Sequence, residues 1–267
     1  MAQPIIVQPG TKVKMKDYDP DYTGEYKNKT QAQKKILEMQ NNMIELQELL
    51  YAENKRSVLI ILQAMDTGGK DGTIKNVMSG VDPQGCEVES FKVPTPEELS
   101  HDFLWRAHKV TPGKGKITIF NRSYYEDVLV VRVHDIVPKE IWSKRYEQIN
   151  GFEKCLADND TTIFKFFLHI SKDEQKKRLE ERLEDPAKLW KFSEADLKER
   201  QYWSDYMDAY EDVLTKCSTD YAPWYIIPAN KKWYRNVLIG EIIVNRLKNL
   251  NMKYPESKID LSKIVIE

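Results

Sequence analysis

The segment Val58–Gly80, VLIILQAMDTGGKDGTIKNVMSG, decides how the chain is read. Val58 to Leu62 are aliphatic without a break, the pattern of a short strand buried on both faces. They give way to the polar turn Asp66-Thr67-Gly68-Gly69, and beyond Lys70 the residues Ile74, Val77 and Met78 fall at helical spacing. Strand, glycine turn with lysine, then helix is the layout of a phosphate-binding (Walker A) loop. First-turn amides and the positive helix end face the anion there, and the lysine reaches the outer phosphates. The match to G-x-x-x-x-G-K-[ST] has two departures, Ala64 at the first glycine position and Asp71 at the Ser/Thr position. An ordinary strand-to-helix turn carries similar glycines, so the surroundings must decide. The candidate phosphate contacts are Gly68, Gly69, Lys70, Asp71, Gly72 and Thr73.

Asp66 and Asp71 bring negative charge into a loop meant for phosphate. Two unit charges about 4 Å apart repel by about 4 kcal/mol at an effective dielectric near 20. A carboxylate there makes sense with a divalent cation between it and the phosphates. Magnesium suits, because it takes few protein carboxylates and completes its shell with phosphate oxygens and water. Asp66 is the first metal candidate; its competing role is a cap for the helix that follows.

A chain of 267 residues with a net charge of −1 holds one α/β domain with decoration, and nothing in it reads as a linker. A polyanionic partner must therefore meet a local basic cluster, and general nucleic-acid binding is not expected. Cys86, Cys155 and Cys217 are odd in number and far apart, which suits a reducing cytoplasm and argues against a disulfide or zinc framework. No apolar run approaches membrane-spanning length, and Met1–Gly10 lacks a signal-peptide pattern. The expectation is a cytoplasmic protein with no membrane partner.

Outward from the loop, residues 1–28 read as an irregular arm, and residues 29–267 as a single domain. Ile36, Met39, Met43, Leu46 and Leu50 mark a long amphipathic helix over Lys29–Lys55. Gly85–Val93 is a second strand, followed by a helix capped by Thr95 that carries Phe103 to His108 and ends at Pro112-Gly113-Lys114-Gly115. Ile117–Phe120 is a third strand, leading into Asn121-Arg122-Ser123-Tyr124-Tyr125-Glu126-Asp127 at its carboxyl end, where ligands of open α/β sheets bind. Thr162–Ile170 and Trp224–Pro228 are further strands, and Lys231–Leu250 a closing helix. Strands alternating with helices predict a three-layer α/β fold with a parallel sheet of about five strands. The insert Ser171–Cys217 is charged and helical, with Arg178 and Arg182 on one helix face. It reads either as a solvated hairpin or, in a phosphoryl-transfer protein, as a lid delivering arginines.

Phosphoryl transfer needs positioning, a metal and positive charge on the transferring group. The chain offers Lys70 and the loop amides, Asp66, Glu126 and Asp127 for a metal, and Arg122, Arg178 and Arg182 as clamps. The segments AMDTGGKDGTI, FKVPTPEEL with FLWRAH, IFNRSYYEDV, and Arg178 and Arg182 followed by DPAKLWKFSEAD together resemble the second family of polyphosphate kinases. The resemblance runs from about Lys29 to Leu250. It implies a P-loop kinase fold with a helical lid, and a magnesium-dependent kinase that moves the terminal phosphate of inorganic polyphosphate onto adenine or guanine nucleotides. It also implies that Asp66, Lys70, Arg122, Arg178 and Arg182 carry the chemistry, and a homo-oligomer is expected. Asn121, Arg122 and Glu126 are the candidate nucleotide contacts. Many members carry aspartate before the arginine of the third-strand motif; Asn121 here is similar to the class III branch, which accepts both AMP and ADP. Two competitors are an ATP-dependent nucleoside monophosphate kinase and a non-catalytic phosphate-binding module.

Overall fold

A computed structural model describes residues 5–257 and residue 264. The aliphatic run becomes a strand, Ser57–Gln63, with every residue buried. The elements in chain order are β1 (Ile5–Ile6), α1 (Lys29–Glu53), β2 (Ser57–Gln63), α2 (Lys70–Val77), β3 (Cys86–Ser90), α3 (Pro96–Leu99) and α4 (Trp105–His108). There follow β4 (Ile117–Asn121), α5 (Val130–Val133), α6 (Lys139–Trp142), α7 (Arg145–Asp158), β5 (Thr161–His169) and α8 (Lys172–Glu184). The chain closes with α9 (Glu194–Glu199), α10 (Trp203–Lys216), β6 (Trp224–Pro228) and α11 (Lys232–Lys248).

The sheet order is β1-β6-β5-β2-β4-β3. Strands β2 to β6 are parallel, as expected from the alternation of strands and helices. Leaving β2, the chain builds β3 and β4 on one side and then crosses to β5 on the other. That reversal opens a crevice at the carboxyl ends of β2, β4 and β5. Successive residues of β2 feed opposite layers: Leu59 and Ile61 join a core with α7 and α10, while Val58, Ile60 and Leu62 join one with α1, α2 and α11. Each such side chain contributes about 1.5–3 kcal/mol on full burial, which is why an unbroken aliphatic run, and not an alternating one, marks this strand.

Three details depart from the sequence reading. The N-terminal segment is not irregular throughout: β1 pairs antiparallel with β6 through Ile5↔Ile226 and Ile6↔Tyr225, and Val7, Val13 and Met15 enter the core. The helix expected to run from Pro96 as far as Pro112 is two short turns ending at His108, because Asp102 Oδ1 accepts from the Leu104 amide at 3.0 Å and diverts the chain between them. The Thr95–Glu98 capping box is present, with Glu98 donating its amide to Thr95 Oγ1 and Thr95 donating its amide to Glu98 Oε2. The charged insert also divides. Helix α10 buries Tyr206, Ala209, Tyr210, Val213 and Leu214 in the central core, so only the stretch from α8 through α9 lies apart from it.

Candidate functional site

The phosphate loop runs from the end of β2 into α2. Gly69, at φ +100°, caps the helix, so Lys70 and Asp71 hold amides that have no partner inside the helix. The loop is braced from behind. Three successive carbonyls each accept from a side chain of another element: Asp66 O from Gln175 Nε2 at 3.1 Å, Thr67 O from Arg178 Nη1 at 3.0 Å, and Gly68 O from Arg235 Nη1 at a long 3.5 Å. Because a trans peptide holds C=O and the following N–H on opposite sides, the Gly68 carbonyl facing Arg235 turns the Gly69 amide the other way. Thr67 carries φ +61°, costly for a β-branched residue, and its buried hydroxyl has no partner among the described residues.

Lys70 donates to the Ala64 carbonyl at 3.2 Å. Burial, and then the Arg122 charge, lower its pKa from 10.5 to about 8, against the pull of Asp66, Glu126 and Asp71. Arg122 sits one residue past β4 at φ +63°, a left-handed conformation that turns its side chain across the strand ends. Its Nη2 donates to Asp66 Oδ1 at 2.6 Å and its Nη1 to Glu126 Oε2 at 3.3 Å. Glu126 and then Asp66 raise its pKa, against burial, so the guanidinium is a fixed charge. Asp66, Lys70, Arg122 and Glu126 thus converge. Beside them opens a cavity of about 480 Å³, lined in part by Phe91, Val130, Val131, Ile136, Tyr206 and Tyr210.

Other predicted residues are committed elsewhere. Asp71 accepts from Asn121 Nδ2 at 2.8 Å and lies 3.4 Å from Lys191 Nζ, linking the loop, β4 and the charged insert. The Asn121 amide nitrogen is therefore directed at Asp71. The Thr73 hydroxyl donates back to the Gly69 carbonyl at 3.1 Å. Asp127 pairs with Arg145 at 3.1 Å and Arg106 at 3.8 Å, and burial nonetheless lifts its pKa to about 6. Arg178 is buried and spends its donors on Glu174 and on the carbonyls of Thr67, Ala229 and Asn230. Arg182 donates to Asp196 at 2.9 Å and to the Lys191 carbonyl. Among the described residues, no group of three or more His, Cys, Asp or Glu side chains is arranged to hold a metal.

The sequence reading missed what supports the Arg122 turn. Tyr124 and Tyr125 donate to Glu153 Oε1 at 2.9 and 2.7 Å, and Lys165 donates to Glu153 Oε2 at 2.5 Å and to Tyr125 at 3.0 Å. Lys165 and Glu153 are wholly buried. The signal was present as a lone lysine within the apolar strand TIFKFFLHI. Arg235 and Gln175, which brace the loop, were missed as well.

The family described as Polyphosphate kinase 2 (PPK2) matches residues 26–255. The AMP/ADP-polyphosphate phosphotransferase of Meiothermus ruber is 55% identical over 262 residues, covering 98% of each chain. The ADP-polyphosphate phosphotransferase of Rhodopseudomonas palustris is 48% identical over 244 residues, 87% of this chain and 84% of that one. The crystal structure of Polyphosphate Kinase 2 from Arthrobacter aurescens TC1 superposes with a TM-score of 0.92 at 44% identity, covering 96% of this chain and 92% of that one. No helix of the described residues is long and apolar enough to cross a membrane.

Proposed function

Because the chain belongs to the polyphosphate kinase 2 family, we propose that it transfers the terminal phosphate of inorganic polyphosphate to AMP and to ADP. The observation that carries the reading is the convergence of Lys70, Asp66, Arg122 and Glu126 between the phosphate loop and a cavity lined largely by apolar side chains. Both acceptors are supported by the name of the Meiothermus ruber relative. An oxygen of the acceptor phosphate forms the new bond to the terminal phosphorus. The bond to the next polyphosphate unit breaks, and the shortened chain leaves as the anion. Such a reaction asks the protein for alignment and charge more than for covalent help.

Lys70 and the loop amides hold the donor chain, and Arg122 stands between donor and acceptor. The phosphates of the nucleotide meet Arg122, beside Glu126, and the base enters the apolar part of the cavity, where stacking suits adenine and guanine alike. The donor set fits magnesium. Asp66 and Glu126 each keep one oxygen without a protein donor among the described residues, and a hard cation bound mainly by phosphate needs little more. When bound, the ion neutralises charge on the phosphates. The α8–α9 segment, tied to the loop through Lys191 and Asp71, is read as the lid. A cytoplasmic location and self-association belong to the same reading.

The test supplies purified chain with magnesium and polyphosphate, AMP as sole acceptor and no other phosphoryl donor. ADP should appear first and ATP afterwards. No ADP from AMP, where ADP itself is converted to ATP, overturns the double acceptor; no product from either overturns the activity.

A further inference from the structure

We propose that Arg235 is a positioning residue of the phosphate loop, its buried charge left without a carboxylate so that bound polyphosphate supplies the counter-charge. The inference rests on the polyphosphate reading above. Helix α11 carries Arg235 beneath the loop, where the residue is 2% exposed. Its Nε and Nη2 donate to one neutral acceptor, Asn236 Oδ1, at 3.1 and 2.9 Å, and its Nη1 faces the Gly68 carbonyl. Among the described residues no carboxylate forms an ion pair with it. The other buried guanidinium at the loop, Arg178, has Glu174 at 2.7 Å, so the missing partner is particular to Arg235.

The loop glycines are shaped around this group. A methyl at Gly69 would overlap Arg235 Nη1, and one at Gly72 would come within 3.3 Å of Nη2. Two of the glycines that make this stretch look like a phosphate cradle therefore admit a guanidinium from below. Burying an unpaired cation is unfavourable unless a counter-charge arrives. A residue needed only to fill space here would be better served by an apolar side chain, as in the rest of α11, where Tyr234, Val237, Leu238 and Ile239 are all buried. The Gly69 amide points away from Arg235, toward the face where a polyanion would lie, so the retained charge acts on that polyanion from behind the loop.

The deciding variant is Asn236→Asp, which is nearly isosteric and gives Arg235 a permanent carboxylate without removing any loop contact. The ligand-free variant should melt at or above the wild-type temperature. Its Michaelis constant for polyphosphate should rise about tenfold or more, the scale of cancelling one unit charge at about 7 Å and an effective dielectric near 20. The constant for ADP should stay within about twofold, kcat at saturating polyphosphate should change little, and polyphosphate should raise the melting temperature less than in wild type. Arg235→Lys, keeping charge but not the fork, should fall between wild type and Arg235→Met. An Asn236→Asp enzyme with unaltered polyphosphate constant and full stabilisation by polyphosphate overturns the inference, whether or not Arg235→Met folds. A wild-type chain that polyphosphate neither stabilises nor lets phosphorylate ADP overturns the functional reading and this inference with it, a distinct result.

Discussion

Replacing Lys70 with methionine should abolish turnover and stabilise the ligand-free fold. The ammonium lies at the first turn of α2, on the positive end of the helix, and its one hydrogen bond among the described residues is to the Ala64 carbonyl at 3.2 Å. Its pKa falls from 10.5 to about 8. At about 1.4 kcal/mol per factor of ten, the folded enzyme holds this charge at a cost of ~3 kcal/mol relative to the unfolded chain. Methionine has similar length and no charge to bury, but forfeits the bond to Ala64. The net gain should be ~1–3 kcal/mol, or ~2–6 °C in melting temperature for a chain of this size. Turnover should drop at least about a hundredfold, the scale of losing one preorganised charge contact.

The pH dependence has a defined sign. The folded pKa lies below the unfolded one, so between about pH 8 and 10.5 the unfolded chain binds more protons and wild-type stability gains from Lys70 as pH rises. Below about pH 8 the penalty is present in full. Urea unfolding of both proteins, with chelator and without polyphosphate, from about pH 7.5 to 10 should show the methionine variant ahead at the acid end and the gap closing toward the alkaline end. A variant less stable than wild type at about pH 7.5, or two parallel profiles, would refute the argument.

Lys165→Met should cost ~3–5 kcal/mol in urea unfolding, since it strands the buried Glu153 carboxylate. Adding Glu153→Gln should recover part of that loss; strictly additive losses would deny the pairing. Arg178→Ala should lower stability by ~2–4 kcal/mol through the carbonyls and the Glu174 carboxylate it leaves unpaired, whereas Arg182→Ala should stay within about 1 kcal/mol and mainly raise the polyphosphate Michaelis constant. If both keep the parent's constant for polyphosphate, the α8–α9 segment is scaffold and not lid. Asn121→Asp should set two carboxylates together at Asp71 and lower stability by ~1 kcal/mol, an effect that Asp71→Asn in the same chain should reverse.

The β2 strand and its loop were legible because burial on two faces demands continuous aliphatic residues, and a tight turn before a helix demands glycine; both signals are local. Helix α10 was obscured by its charged setting, although Tyr206, Ala209, Tyr210, Val213 and Leu214 carry the helical period of a core face. What the sequence hid is pairing at a distance. Asn121 looks like a ligand contact until Asp71, fifty positions earlier, is found against it. Asp127 looks like a metal carboxylate until Arg106 and Arg145 are found on it. Gly69 and Gly72 look like a phosphate cradle, and their close neighbour Arg235 lies in the last helix. In each case the residue type was read correctly and its partner, fixed by the tertiary fold, was not available to local pattern.

Those pairings divide the site electrically. On the loop side, neither Lys70 nor Arg235 forms an ion pair among the described residues, and burial lowers both pKa values, to about 8 and about 9. On the cavity side, Arg122 is already matched by Asp66 and Glu126, and the lining is largely apolar. The two substrates of the proposed reaction differ in the same way, a chain bearing charge on every unit against a nucleotide with few charges and a large ring system. Donor affinity should then depend on charge, and acceptor affinity chiefly on apolar burial. Raising monovalent salt from about 50 to about 300 mM at constant magnesium should raise the polyphosphate Michaelis constant several-fold more than that of ADP, because mobile ions both screen the cations and compete for the polyanion. The comparison is made with polyphosphate varied at saturating ADP and then the reverse, so that general effects of salt on turnover cancel. Equal salt slopes for the two substrates would mean that the unpaired cations do not set donor affinity.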